Sequence, residues 1–267
     1  MKTLSLYTLV LALVIIVSGC STTTTEPTNT TPAYIKLGTA TASGTTIELY
    51  ADDSLLSGYN TMYVKVLDAY SKAIVRDAHI QLIPIMDMGM MKHSCPTEQP
   101  TQTVITGDYF RTAAVFQMST TPNGTWKIKV EFHNHVSDKE DEVEIPVTVG
   151  ESNCCKPIKC TDNNTYVVAI ANHMEMITGV NNIEFTVHRK IDDMTYEPAT
   201  NISMEMTPEM PSMGHGSPNN ADPVHVANGH YKGKANFTMT GEWRITATLK
   251  LGDTSIGSTQ LYLTIKK

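Results

Sequence analysis

Gly58-Tyr59-Asn60-Thr61-Met62-Tyr63-Val64-Lys65-Val66 and Gly179-Val180-Asn181-Asn182-Ile183-Glu184-Phe185-Thr186-Val187 carry one pattern twice. Each opens on Gly-x-Asn and then alternates, with Met62, Val64 and Val66 in the first and Ile183, Phe185 and Val187 in the second. A period of two places these side chains on one face of a β-strand. Outward from the pair the correspondence continues. Ile80 and Leu82 answer Ile202 and Met204, and Gly107-Asp108-Tyr109 answers Gly229-His230-Tyr231. Phe116, Met118 and Trp126 answer Phe237, Met239 and Trp243, and Ile145, Val147 and Val149 answer Leu261, Leu263 and Ile265. The chain therefore reads as two copies of one unit, residues 33–150 and 162–267, joined by a Cys-containing linker at 151–161.

Further period-two runs cover 79–85, 109–118, 125–132 and 142–149 in the first copy. In the second copy they cover 166–170, 201–206, 231–239, 242–249 and 260–265. No segment sustains a helical period. Short strands at regular spacing in units of this size predict an all-β protein of two tandem immunoglobulin-like β-sandwiches, each of seven strands. Trp126 and Trp243 each begin a strand after a Gly-containing turn and are expected to anchor the two cores.

The chain has 267 residues and a formal net charge of -7, from 20 Lys+Arg against 27 Asp+Glu. With 41% hydrophobic and 18% charged residues it is no disordered acidic tail. An acidic balance without a basic run argues against nucleic acid as a partner. Residues 1–19 combine Lys2, the apolar run Leu4 to Val17 and small residues, the pattern of a secretory signal peptide. The ending Val17-Ser18-Gly19-Cys20 resembles the bacterial lipobox, which implies cleavage before Cys20 and lipidation of its sulfur. The Thr-rich stretch 20–32 has too little apolar surface to fold and reads as a flexible tether. These features predict a lipid-anchored protein of the bacterial cell envelope, extracytoplasmic or periplasmic, held to the membrane through its anchor.

Methionine is enriched locally. Of 15 methionines, eight lie in two loop regions, Met86–Pro96 and Met204–Pro218. At a constant offset Met88, Met91 and His93 align with Met210, Met213 and His215, giving Met-x-x-Met-x-His in both. Thioether sulfur is a soft ligand that favours Cu(I), and imidazole suits copper as well. A thioether has no proton to lose, so such a site tolerates modest acidity and forms no disulfides in an oxidising compartment. Met210, Met213 and His215, with Met88, Met91 and His93, are therefore the expected copper ligands. Met204 and Met206 alternate within a strand and read as core. Met118 and Met239, each two residues after a Phe, are either late ligands or core. Cys95, His225 and His230 are further candidates. His173, Met174 and Met176 would join only if their loop shares the end of the sandwich.

The segment MEMTPEMPSMGHGSPNNADPVHVANGHYKGKANFTMTGEWRITATL resembles the YtkA-like domain, a relative of FixH. The resemblance rests on Met-Pro-x-Met-x-His, the Gly-x-Tyr step and Phe-x-Met-x-Gly-x-Trp. It implies a compact β-sandwich, extracytoplasmic placement and a role in copper binding or delivery, with a cuproenzyme or copper exporter as partner. The first copy departs from it. It has no Pro between its methionines, Lys92 stands before His93, Cys95 takes the place of Ser217, and the turn before Trp126 is longer.

Cys154, Cys155 and Cys160 lie in the linker. In an oxidising compartment they read either as disulfide partners or as a thiolate site. No nucleophile elbow, phosphate loop or His-Glu-x-x-His helix occurs, so no enzymatic activity is expected. Two function classes remain. One is a copper-binding envelope lipoprotein holding Cu(I) at Met/His loops for delivery or sequestration. The other is a structural or adhesive immunoglobulin-like module that binds a protein or glycan.

Overall fold

The computed structural model describes residues 34–266, so the expected signal peptide, the lipidation site Cys20 and the tether lie outside the described residues. Nine strands form the first half: β1 (Ile35–Ala42), β2 (Thr45–Ala51), β3 (Gly58–Asp68), β4 (Ala78–Asp87), β5 (Lys92–His93), β6 (Thr97–Glu98), β7 (Phe110–Phe116), β8 (Thr125–Asn134) and β9 (Lys139–Val147). They make two sheets, ordered β1-β2-β3-β7-β6 and β5-β4-β8-β9. The second half contains β10 (Cys155–Lys159), β11 (Thr165–Ile170), β12 (Gly179–Lys190), β13 (Tyr196–Pro198) and β14 (Ser203–Met210). It continues with β15 (His215–Gly216), β16 (Ala221–Ala227), β17 (His230–Phe237), β18 (Gly241–Leu251) and β19 (Thr254–Ile265). Its sheets are ordered β10-β11-β12-β17-β16 and β15-β14-β18-β19, with β13 paired to β12. Apart from β13, the two halves share one strand order.

The alternation in the sequence explains the cores. Along β4 and β8 every second side chain is buried, and the same holds for β14 and β18. Ile47, Leu49, Val64, Leu82, Trp126 and Ile128 fill the first sandwich. Phe185, Val187, Tyr231, Trp243, Ile245 and Leu249 belong to the second core. Each tryptophan meets a phenylalanine edge-on, Phe116–Trp126 at 4.9 Å and Phe237–Trp243 at 5.3 Å between centroids.

Each half has more strands than the seven expected. Edge strands carry weak alternation because only part of either face is covered, so β1 (IKLGTATA) and β16 (ADPVHVA) leave little trace in the pattern. The segment expected as a linker holds β10, paired antiparallel to β11 from Cys155↔Ala169 to Lys159↔Thr165. Pro157 is compatible with that role because β10 is an edge strand.

β7 and β11 are buried along nearly their whole length, without alternation. A strand covered on both faces reads in this way. Their outer faces account for it: Tyr59, Ala113 and Val115 of the first sandwich form one buried cluster with Cys155, Val167 and Ala169 of the second. The two sandwiches are thus docked sheet against sheet.

Candidate functional site

Both Met/His segments are hairpin tips at equivalent strand ends. Met86 at the end of β4 pairs with His93 on β5, and Met210 at the end of β14 pairs with His215 on β15. Met86 also lies opposite Trp126 on β8, and the β14–β18 register, which runs to Glu209↔Arg244, brings Met210 beside Trp243. Met86 and Met210 are both buried. Each packs over a glycine: a Cβ built on Gly124 would meet Met86 Cε at 2.8 Å, and one on Gly241 would meet Met210 Cε at 3.2 Å. The structural counterpart of Met210 is therefore Met86, and the constant-offset alignment with Met88 is corrected. Core alternation carries through to Met86, and the first tip is longer, with Met88, Met90 and Met91 in the extra length. Gly89 (φ 81°) and Gly214 (φ 65°) take the left-handed conformation that turns each tip.

The histidines are held alike. His93 Nδ1 donates to Ser94 O at 3.1 Å, and His215 Nδ1 donates to Gly216 O at 2.9 Å. A carbonyl only accepts, so each Nδ1 carries the hydrogen, which leaves Nε2 as the ring nitrogen that can offer a lone pair. Neither Nε2 has a hydrogen-bond partner among the described residues. Each ring stands edge-on to a tryptophan, His93–Trp126 at 5.7 Å and His215–Trp243 at 6.4 Å. The same indoles donate Nε1–H to Met118 O at 2.9 Å and Met239 O at 3.0 Å. One buried tryptophan thus braces both the histidine and the late methionine of its sandwich. Met88, Met91, Met118, Met213 and Met239 are each between 38% and 59% exposed. They are accessible thioethers, on the hairpin tips and on the segments whose carbonyls the two indoles bind. Among the described residues no group of three or more His, Cys, Asp and Glu side chains is arranged to hold a metal. A metal held at these tips therefore needs thioether donors, which fits a soft monovalent ion and not zinc.

The other candidates lie elsewhere. Cys95 is buried in the first core, where burial holds its thiol well above the ordinary range, so it stays protonated. His225 is on β16, in the opposite sheet, with its ring 5.2 Å from Tyr231. Cys95, Cys154, Cys155 and Cys160 are all unpaired. Consecutive residues of a strand point to opposite faces. Cys154, just before β10, packs in the second core with Cys160, while Cys155, the first residue of β10, faces the first sandwich. Burial pushes the Cys155 thiol up to about 12 and the Cys160 thiol up to about 11.

His230 is removed from the ligand set by its partners. Its Nε2 lies 2.5 Å from Glu98 Oε1 of the first sandwich, and its Nδ1 lies 2.7 Å from Glu184 Oε1 of the second. Carboxylates only accept, so with both bonds made the ring is an imidazolium. Hydrogen bonding to Glu98 and the charges of both carboxylates raise its pKa above the ordinary histidine value, against the effect of burial. Burial by itself would raise Glu98; the hydrogen bond to His230 and its charge outweigh burial, so the carboxyl sits below its ordinary range. Tyr59 OH donates to the other oxygen of Glu98 at 3.1 Å. This clasp was invisible in the sequence, because Glu98 and His230 are far apart in the chain and belong to different sandwiches. Behind it His188 is buried with Nδ1 unpartnered, and desolvation lowers its pKa to about 4.

Fold and sites define the class: tandem antiparallel β-sandwiches of immunoglobulin-like type, each with a methionine- and histidine-bearing hairpin tip. Residues 161–248, which lie in the second sandwich, match the family model described as YtkA-like. No curated protein matches the chain. Among solved structures the chain is similar to the Escherichia coli adhesin FdeC, at 12% identity and a TM-score of 0.27, covering 86% of this chain and 66% of that one. It is similar to a conserved domain protein from Bacillus anthracis at 9% identity and a TM-score of 0.33, covering 88% and 92%. It is likewise similar to domains 5–6 of the S-layer protein SbsC at 11% identity and a TM-score of 0.29, covering 88% and 100%. The chain thus spans just under two thirds of the adhesin.

Proposed function

We propose that the protein is a lipid-anchored, extracytoplasmic binder of a soft monovalent metal ion, with Cu(I) as its cargo, for delivery or sequestration. One observation carries this reading. In both sandwiches a histidine with Nδ1 tied to a carbonyl presents an unpartnered Nε2 beside exposed methionines, although the two tips differ in length. The ligand set proposed for the second site is His215, Met213 and Met239. That for the first is His93 with Met88, Met91 and Met118. Met210 and Met86 form the buried floor beneath them. An exposed tip suits cargo transfer, since incoming thioether or imidazole ligands of a partner can replace resident ones one at a time. The YtkA-like match of the second sandwich supports the reading.

A second reading is a module that binds a protein or glycan. The exposed methionines favour it too, because clustered flexible thioethers also serve adaptable binding surfaces. Cu(I) stoichiometry separates the two readings. The full chain is titrated anaerobically against a chromophoric Cu(I) chelator, alongside His93→Ala/Met91→Ala and His215→Ala/Met213→Ala variants. The metal reading expects two equivalents, with one lost in each variant. Copper surrendered completely to a chelator that probes micromolar affinity, about -8 kcal/mol, sinks it and leaves the tips as a partner surface.

A further inference from the structure

The two hairpin tips are not equal, because the second sandwich reaches over to the first. Ser94, which follows His93, donates its backbone N–H to Asp193 O at 2.8 Å. Asp193 belongs to the turn between β12 and β13, and the residue after it is Met194, 44% exposed. The turn is firmly built. Ile191 N donates to Thr195 O at 2.9 Å, Met194 N donates to Asp192 Oδ1 at 2.7 Å, and Lys190 pairs with Asp193 at 2.7 Å. Tyr196, just beyond it, packs on the apolar cluster that joins the sandwiches. The turn is therefore fixed to the first tip by a backbone hydrogen bond and to the docked interface by a side chain. No comparable contact reaches Gly216, the counterpart of Ser94, among the described residues.

We infer that Met194 is a thioether ligand of the first metal site, supplied by the second sandwich. The inference rests on the soft-metal reading and deepens it: the first site is shared between both sandwiches, while the second is built by one. The residues of the tip are neighbours of Met194 through the Ser94–Asp193 bond, and a methionine side chain is long and flexible enough to turn its sulfur toward His93. Two consequences follow. The first site binds more tightly when the sandwiches are docked, and it releases its ion more readily when they part. The longer, methionine-rich first tip is then one half of a composite site and not a degraded copy of the second.

The test uses the full chain in detergent, labelled at the methionine methyl carbons and titrated with Ag(I), a redox-inert stand-in for Cu(I). Met194→Leu assigns the Met194 signal, and Met174→Leu, at another exposed position, is the control. The expected result is that the Met194 methyl shifts in the same step as Met91, and not in the step that moves Met213. Met194→Leu is expected to weaken the first site by about ten- to a hundredfold, the range seen when a group organising a metal site is removed, with the second site unchanged. If the Met91 and Met213 signals move while Met194 stays still, or if Met194→Leu leaves both affinities intact, the shared site is refuted and the metal reading stands. If no methionine methyl responds to Ag(I), the metal reading itself falls and the shared site falls with it.

Discussion

Replacing His230 by Asn removes the cation that Glu98 and Glu184 share across the junction of the sandwiches. The His230 side chain is 16% exposed and each carboxylate 24%, so the pairs lie between the surface and the fully buried case. An exposed ion pair contributes at most about 1 kcal/mol, whereas breaking a buried one costs about 3–5 kcal/mol. The intermediate burial places the loss at about 2–3 kcal/mol. For a chain of this size that lowers Tm by roughly 4–12 °C. The pH dependence gives the sharper test. The folded pKa of His230 is raised, so its contribution is complete below the unfolded value of about 6.5 and is lost as pH rises through the folded one. The folded pKa of Glu98 is lowered, so its contribution is present above the unfolded value of about 4.3 and is lost as pH falls through the folded one. The clasp is therefore strongest between about pH 4.5 and 6.5. Calorimetry from pH 5.5 to 8.5 should show a fall in wild-type Tm that is flattened in His230→Asn, with the largest gap between the two at the acidic end. Parallel Tm profiles, or a gap that widens toward pH 8.5, would refute the charge assignment.

Gly241→Ala should destabilise by about 1–3 kcal/mol, since φ is +125° and the new Cβ crowds Met210 Cε, whereas Gly252→Ala, with open space around it, should cost no more than about 1–2 kcal/mol. Urea denaturation compares the two, and equal costs would show that the methionine floor is not under pressure. Trp243→Phe leaves Met239 O without its indole donor, which should cost about 1–3 kcal/mol. It should also weaken Ag(I) binding at the second tip while sparing the first. Native-state titration with a disulfide reagent should find Cys95 and Cys155 slow to react, because both thiols are buried and held protonated, and Cys95, Cys154, Cys155 and Cys160 should all be titrated after unfolding. In His230→Asn the Cys155 rate should exceed the wild-type rate most at about pH 6–6.5, where the clasp is intact, if the clasp holds the junction shut; an unchanged rate would mean that the apolar cluster alone suffices.

The sequence by itself determined the sandwich architecture. Alternation along β4, β8, β14 and β18 marks strands with one face in a core, although the expected seven strands per half fall short of the nine and ten that form. The duplication was legible because the same alternation recurs with the same Gly-x-Asn and Trp landmarks. The hairpin tips were legible as Gly-broken loops after a core strand, but Met210, expected there as a ligand, is buried in the second core. The edge strands β1, β10 and β16 were not legible, since partial covering erases periodicity and Pro157 disguises β10 as linker. Nor was the true partner of Met210. Spacing along the chain matched it to Met88, but only strand register shows that Met86 occupies the same buried place over a glycine. Tertiary structure alone decided the surroundings of His230, of Cys155 and of the turn that carries Met194. Each owes its surroundings to residues of the other sandwich, and docking two sheets creates neighbours with no fixed separation in the chain.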